Sequence, residues 1–211
     1  MALDRLAKQM SVYIVESPAP EDFVSKVLEG APLHAVLGQL QIDSDYTVTV
    51  TKDTFARVVA DRLQGHVKKG DVMPFLHVSA HGNAQGIGLT DGSFLSWSEF
   101  RRVLTSGPPS VTKYLTLCMS TCNGFNACKL GFSEEPTHPF HCVVGPTGEP
   151  EWFDTLIGFA TFYHQLARRP CQGPSFQKAI KAARAASGHF GFEVALAETA
   201  HGAYEHRKAG D

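Results

Sequence analysis

Short apolar runs rich in β-branched and aromatic residues alternate along this chain with longer segments whose apolar residues recur at helical spacing. The short runs are too brief and too β-prone for helices of ordinary length. They predict strands at residues 12–15, 46–51, 75–78, 114–119, 140–144 and 192–196. Strands that alternate with helices form a mostly parallel sheet with helices on both faces, so the predicted fold class is α/β.

The longer segments show the helical period. From Phe55 to Val67, apolar residues recur at i, i+3, i+4, i+8 and i+12, which places them on one helical face. Ser96 and Glu99 form a capping box, in which each residue satisfies a free backbone N–H of the other, and they predict a helix that continues to Leu104. Further helices are predicted at residues 22–40, 152–166 and 176–186.

Length and charge limit the domain organisation and the partners. The 211 residues contain neither an internal repeat nor a linker, so we expect a single domain over residues 1–211. A net charge of -2 without clustered Lys or Arg argues against nucleic acid and anionic membranes as partners. No apolar run approaches the roughly 20 residues needed to cross a bilayer.

The N-terminus and the cysteines predict the compartment. Residues 1–9 lack the basic segment and apolar stretch of a secretory signal. The five cysteines include no Cys-x-x-Cys pair, and they fit a reducing environment better than a disulfide framework. We therefore expect a cytoplasmic protein.

A histidine and a cysteine follow two of the predicted strands at equivalent positions. The third strand leads into Ser-Ala-His-Gly-Asn at residues 79–83, and the fourth leads into Ser-Thr-Cys-Asn-Gly at residues 120–124. Ligands of an open parallel sheet bind beyond the carboxyl ends of its strands, so neighbouring strands would project His81 and Cys122 into one cleft. An imidazole that helps to deprotonate a thiol is the arrangement of a cysteine hydrolase.

These motifs resemble those of the caspase-like cysteine peptidases, especially their bacterial CHAT branch. The strand that ends in His-Gly, the turn at residues 87–92 and the strand that ends in Ser-x-Cys are each similar to the family pattern. Later segments at residues 143–145, 162–163 and 175–183 continue the resemblance, which runs in chain order over residues 74–187. The resemblance implies a caspase-like fold.

The resemblance also implies a cysteine endopeptidase with His81 and Cys122 as its catalytic dyad. Cys122 would attack the carbonyl carbon, His81 would protonate the leaving amine, and water would then release the acyl group. The backbone amides of Gly82 and Cys122 would form the oxyanion hole. The implied partners are a protein or peptide substrate and an activating protein, with no metal or organic cofactor.

Five residues fall in the region that binds substrate in the family: Ser120, Gly145, Pro146, Glu151 and Asp154. Ser120 departs from the family pattern, because Asp-cutting caspases have Gln at that position and Arg- or Lys-cutting relatives often have an acidic residue. Glu149, Glu151 and Asp154 are acidic and favour a basic substrate residue.

Other interpretations remain open. The same fold with weak or absent catalysis would be a protein-interaction module. Buried core positions suit His77, Cys118 and Cys142, since free cysteine is among the most buried residue types. A structural zinc site would use four residues close in sequence, although their spacing fits no standard pattern: Cys128, His138, His141 and Cys142.

Overall fold

The predicted alternation of strands and helices is present in the structure, a computed structural model that describes residues 9–132, 138–171, 173–188 and 191–200. The strands within these ranges are β1 (Met10–Ser17), β2 (Asp43–Val48), β3 (Met73–Ala80), β4 (Gly82–Asn83), β5 (Gly86–Gly88), β6 (Phe94–Ser96), β7 (Thr116–Ser120), β8 (Cys142–Pro146) and β9 (Phe192–Leu196). The helices are α1 (Pro20–Ser25), α2 (Gly30–Gln39), α3 (Lys52–His66), α4 (Trp97–Thr105), α5 (Pro109–Thr112), α6 (Trp152–Ala167) and α7 (Gly173–Ser187). Short 3-10 helices occupy Val67–Lys69, Gly124–Gly131 and Ala197–Thr199.

Six strands form one central sheet in the spatial order β2-β1-β3-β7-β8-β9. The first five of these strands are mutually parallel, and β9 pairs antiparallel with β8. The predicted mostly parallel sheet is therefore confirmed. A second antiparallel sheet, β4-β5-β6, follows β3, and the strand pattern did not predict it because strands of two or three residues are too short to show a period.

Helices cover both faces of the central sheet, as predicted. On one face α3 and α4 pack against side chains such as Leu76 and Val78 of β3. On the other face α2, α6 and α7 pack against Phe75 of the same strand, since successive side chains of a strand point to opposite faces. None of the helices in the described ranges is long and apolar enough to span a membrane.

The single helix predicted at residues 22–40 is wrong, because the structure has two helices there. Helix α1 ends at Ser25, and the next residue, Lys26, has a φ of 58° in the left-handed region. Helix α2 restarts at Gly30, so that Pro32 falls in the first helical turn, where its missing N–H needs no partner. The backbone N–H groups of Glu29 and Gly30 donate to Oε1 of the buried Glu16 carboxylate, at 2.8 and 3.0 Å.

Two predicted elements end earlier than their patterns indicated. The strand predicted at residues 46–51 is Asp43–Val48 in the structure, because Thr51 instead caps α3 in a capping box with Thr54. The helix predicted to include Val67 ends at His66, and Val67 is 48% exposed. The start and the end of α3 therefore fall at residues that the apolar spacing alone does not distinguish.

The Ser96 capping box is confirmed, with both of its reciprocal hydrogen bonds present. Ser96 Oγ accepts from the Glu99 N–H at 3.3 Å, and the Glu99 carboxylate accepts from the Ser96 N–H at 2.9 Å. We expect Ser96→Ala to lower the free energy of unfolding by about 1 kcal/mol, measured by urea denaturation. Ser110→Ala, the same chemical change at an exposed position of α5, is the matched control. Equal losses in the two variants would contradict the capping role.

Candidate active site

The pairing of β3 with β7 brings His81 and Cys122 to the same edge of the sheet. The two strands are adjacent and parallel, and Ser79 lies opposite Ser120. His81 lies two residues after Ser79, and Cys122 lies two residues after Ser120. Each is on a strand exit, the segment in which the chain leaves the end of its strand. Both side chains line one cleft of about 280 Å³. The structure thus places the two residues singled out in the sequence where one substrate could contact both.

The two strand exits approach each other closely at a glycine. A Cβ atom on Gly82 would lie 2.9 Å from both the Cys122 carbonyl oxygen and Thr121 Cβ, closer than packed atoms allow. Beyond the cysteine, Asn123 has a φ of 56° and turns the chain, and its backbone N–H donates to the Gly148 carbonyl at 2.6 Å. The backbone around the thiol is therefore held from both sides.

Asp22 is a site residue that the sequence did not reveal. His81 Nε2 donates to Asp22 Oδ2 at 2.6 Å, and the His81 and Trp152 rings meet edge to face with centroids 5.2 Å apart. A carboxylate on one ring nitrogen keeps that nitrogen protonated and leaves Nδ1 as the basic nitrogen. Asp22 lies on α1, 59 residues before His81, and only the tertiary fold brings them together.

The Cys122 thiol lies in an environment that opposes its ionisation. Partial burial raises its pKa, and the negative charges of Glu149 and Glu151 raise it further. The backbone N–H of Cys122 itself acts in the opposite direction. Because the thiolate is the nucleophile, this site ionises less readily than a free cysteine.

The residues predicted to bind substrate fall into two groups. Ser120 and Glu151 line the cleft, together with Glu149. Gly145, Pro146 and Asp154 lie outside its described lining. Gly145 supports the turn after Cys122, because a Cβ at this position would lie 3.0 Å from the Met119 carbonyl oxygen. Asp154 occupies the first turn of α6.

A buried acid lies behind the cleft wall. Glu29 Oε2 accepts from Ser79 Oγ at 2.8 Å, and burial raises the pKa of Glu29 to about 7, although the hydroxyls of Ser120 and Ser79 oppose the shift. Glu29 Oε1 lies 3.9 Å from His77 Nε2. Neither of these atoms has a hydrogen-bond partner, nor does Ser120 Oγ. The cleft wall is thus backed by polar atoms with unused hydrogen-bonding capacity.

His77 lies in the core, as predicted, but only Nδ1 is hydrogen-bonded, at 3.2 Å from the Tyr163 hydroxyl. Burial lowers the pKa of His77 to about 3. Cys118 and Cys142 are also buried, as predicted, and burial raises the pKa of Cys142 to about 11.

The described residues do not support the zinc alternative. No group of three or more His, Cys, Asp or Glu side chains among them could hold a metal ion. Cys128 and Cys142, two of the four suggested ligands, are buried, and burial raises the pKa of the Cys128 thiol to about 12.

This is a caspase-like fold, and solved structures share it. The Arg-specific cysteine proteinase gingipain R shares it with a TM-score of 0.54 and 11% identity, over 89% of this chain and 46% of that one. The complex of Porphyromonas gingivalis RgpB pro- and mature domains shares it with a TM-score of 0.53 and 11% identity, over 92% of this chain and 48% of that one. This chain spans about half the length of these structures. No family model and no curated protein matches the sequence.

The raised pKa of Glu29 predicts a pH-dependent stability. As pH rises from 4.5, the usual pKa, towards 7, the unfolded chain loses this proton first, so ionisation favours unfolding. Glu29→Gln cannot ionise. Its free energy of unfolding relative to the wild type should therefore rise by about 2 to 3 kcal/mol between pH 5 and pH 8, measured by urea denaturation.

Glu21→Gln on the exposed side of α1 is the matched control for this measurement. Its difference from the wild type should be the same at both pH values. A Glu29→Gln difference that also stays constant with pH would contradict the assignment of a raised pKa to Glu29.

Proposed function

We propose that this protein is a caspase-like cysteine endopeptidase with Cys122 as nucleophile and His81 as general base and acid. The observation that carries the proposal is the register of β3 and β7, which places both side chains in one cleft at the carboxyl edge of the sheet. The shared fold with the cysteine proteinase gingipain R supports it.

The proposed reaction follows from these positions. His81 removes the proton from Cys122 Sγ, and the thiolate attacks the carbonyl carbon of the peptide bond. The backbone N–H groups of Gly82 and Cys122 stabilise the negative charge on the carbonyl oxygen. His81 then gives its proton to the amine as the C–N bond breaks. Water, deprotonated by His81, attacks the thioester and releases the acid and the free thiol.

Asp22 is the proposed positioning residue for His81. Its carboxylate accepts from Nε2, which orients the ring and stabilises the imidazolium that forms after proton transfer. Asp22 is 22% exposed at its side chain and His81 is 52% exposed, so solvent weakens this interaction without removing it.

A basic substrate residue is the proposed preference. Glu149 and Glu151 supply negative charge at the cleft, and the name of one structural neighbour records Arg specificity for that protein. The assignment to the bacterial CHAT branch and activation by a partner protein also belong to this proposal, and they rest on the sequence motifs at residues 74–187. The cytoplasmic setting is proposed as well, and it rests on the five cysteines, which include no Cys-x-x-Cys pair.

Replacement of the nucleophile tests the enzymatic proposal. Cys122→Ala should abolish cleavage while leaving the melting temperature nearly unchanged, because the side chain is only partly buried and the change is small. Mapping new protein termini in cells that express the wild type or Cys122→Ala would detect the activity and the cleavage sites together. Identical termini in both cell populations would contradict the proposed peptidase activity and favour a protein-interaction module.

Covalent labelling is the companion measurement, because it does not depend on knowing the substrate. A peptide chloromethylketone should label Cys122, and His81→Ala should slow that labelling. Cys171, which is partly buried and lies outside the cleft, serves as an internal control thiol. Labelling that is indifferent to His81 would argue against the dyad.

The positioning role of Asp22 has its own test. Asp22→Asn should lower kcat by about 10- to 100-fold with a smaller effect on KM, because the imidazolium that forms during the reaction loses its counter-charge. Glu21→Gln, the neighbouring residue on α1, is the control and should retain the wild-type kcat and KM. Equal changes in kcat and KM for Asp22→Asn, or no change in either, would contradict the positioning role.

A further inference from the structure

Two carboxylates lie at the cleft on the segment that is tied to the nucleophile turn. Glu149 and Glu151 are exposed and line the cleft with Cys122. Asn123 connects the two segments, because its side-chain Nδ2 donates to Glu149 Oε1 at 3.4 Å and its backbone N–H donates to the Gly148 carbonyl. Glu149 is therefore tied to the turn that follows Cys122, and Glu151 lies two residues further along the wall of the same cleft.

A second and independent feature of the cleft points to a ligand that donates hydrogen bonds. Ser120 is fully buried in the cleft wall and its Oγ has no partner. Behind it, Glu29 Oε1 also lacks a partner. A buried hydroxyl oxygen that faces a carboxyl can donate to that carboxyl and still accept from a ligand. Lysine and arginine side chains match this site, because they carry several donors, no acceptor and a positive charge.

We propose that Glu149 and Glu151 act both as the binding site for a cationic substrate side chain and as a charge-based restraint on Cys122 that this side chain relieves. The inference rests on the proposed peptidase function, which it deepens by coupling substrate recognition to activation of the nucleophile. A neutral substrate would leave the restraint in place.

The coupling follows from the sign of the charges. A negative charge near a thiol disfavours the thiolate, and a positive charge placed between the glutamates and the sulfur compensates for it. The proton that leaves Sγ passes to His81, so the S–H bond breaks and an N–H bond forms on the imidazole. Among the described residues, two other charged or titratable groups face this site: Asp22, which holds His81, and Glu29 behind Ser120. Neither is altered by the substitutions used below.

Alkylation of Cys122 by iodoacetamide tests the restraint without requiring peptidase activity. The reagent is small and uncharged, so its rate at neutral pH follows the thiolate fraction. The double variant Glu149→Gln/Glu151→Gln should be alkylated about 3- to 10-fold faster than the wild type. Asp53→Asn/Asp61→Asn removes the same net charge from exposed positions of α3 and should leave the rate unchanged.

A matched pair of peptide electrophiles tests the cationic half of the proposal. Chloromethylketones ending in arginine and in citrulline have nearly the same shape and differ in charge. In the wild type the arginine reagent should inactivate Cys122 at least about 10-fold faster, and in the double glutamine variant this ratio should approach one. The same substitutions thus accelerate the neutral reagent and remove the advantage of the cationic one.

The outcomes separate this inference from the proposed function. An unchanged iodoacetamide rate in the double variant, or a preserved arginine preference, would overturn the inference even if Cys122→Ala abolishes peptidase activity. A third result is that the double glutamine variant reacts faster with iodoacetamide and loses the preference for the arginine reagent even though the wild type cleaves no peptide bond. That result would support the coupling and would count against the peptidase function. Equal acceleration in the α3 control would show a general charge effect and would also overturn the inference.

Discussion

The parallel register between β3 and β7 is the constraint on which the candidate site depends. With Ser79 opposite Ser120, the strand exits carry His81 and Cys122 out of the sheet side by side. A shift of one residue in either strand would turn one of the two side chains to the opposite face. Gly82 then allows the exits to touch, since a side chain there would collide with the backbone at Cys122.

Several acidic side chains lie at the cleft or behind it, and different physical effects control their charges. Glu149 and Glu151 are exposed, so their charges are fully available but screened by water. Glu29 is buried behind Ser120, and desolvation holds part of its population protonated near neutral pH. Glu16, buried beside it, accepts from the first N–H groups of α2 and from the Tyr46 hydroxyl. The carboxylates at the cleft and behind it therefore differ in how strongly water screens their charge.

Local patterns predicted most of the elements that have strong periods. The apolar spacing that includes Phe55, Val59 and Leu63 corresponds to one buried face of α3, and the Ser96 capping box marks the start of α4. Patterns failed where two local preferences competed. The apolar spacing of residues 22–40 suggested one helix, but Pro32 is tolerated only near a helix start, and the chain turns at Lys26 instead.

The sequence by itself determined the fold class and the two candidate catalytic residues, because strand periodicity and the residues that end each strand are local properties of the chain. Only the tertiary structure decided which side chains surround them. Asp22 reaches His81 across 59 residues, and Glu29 reaches Ser79 across 50. The physical reason is that such contacts depend on strand order, register and the break between α1 and α2, and no short-range pattern records the burial and charge that those contacts create.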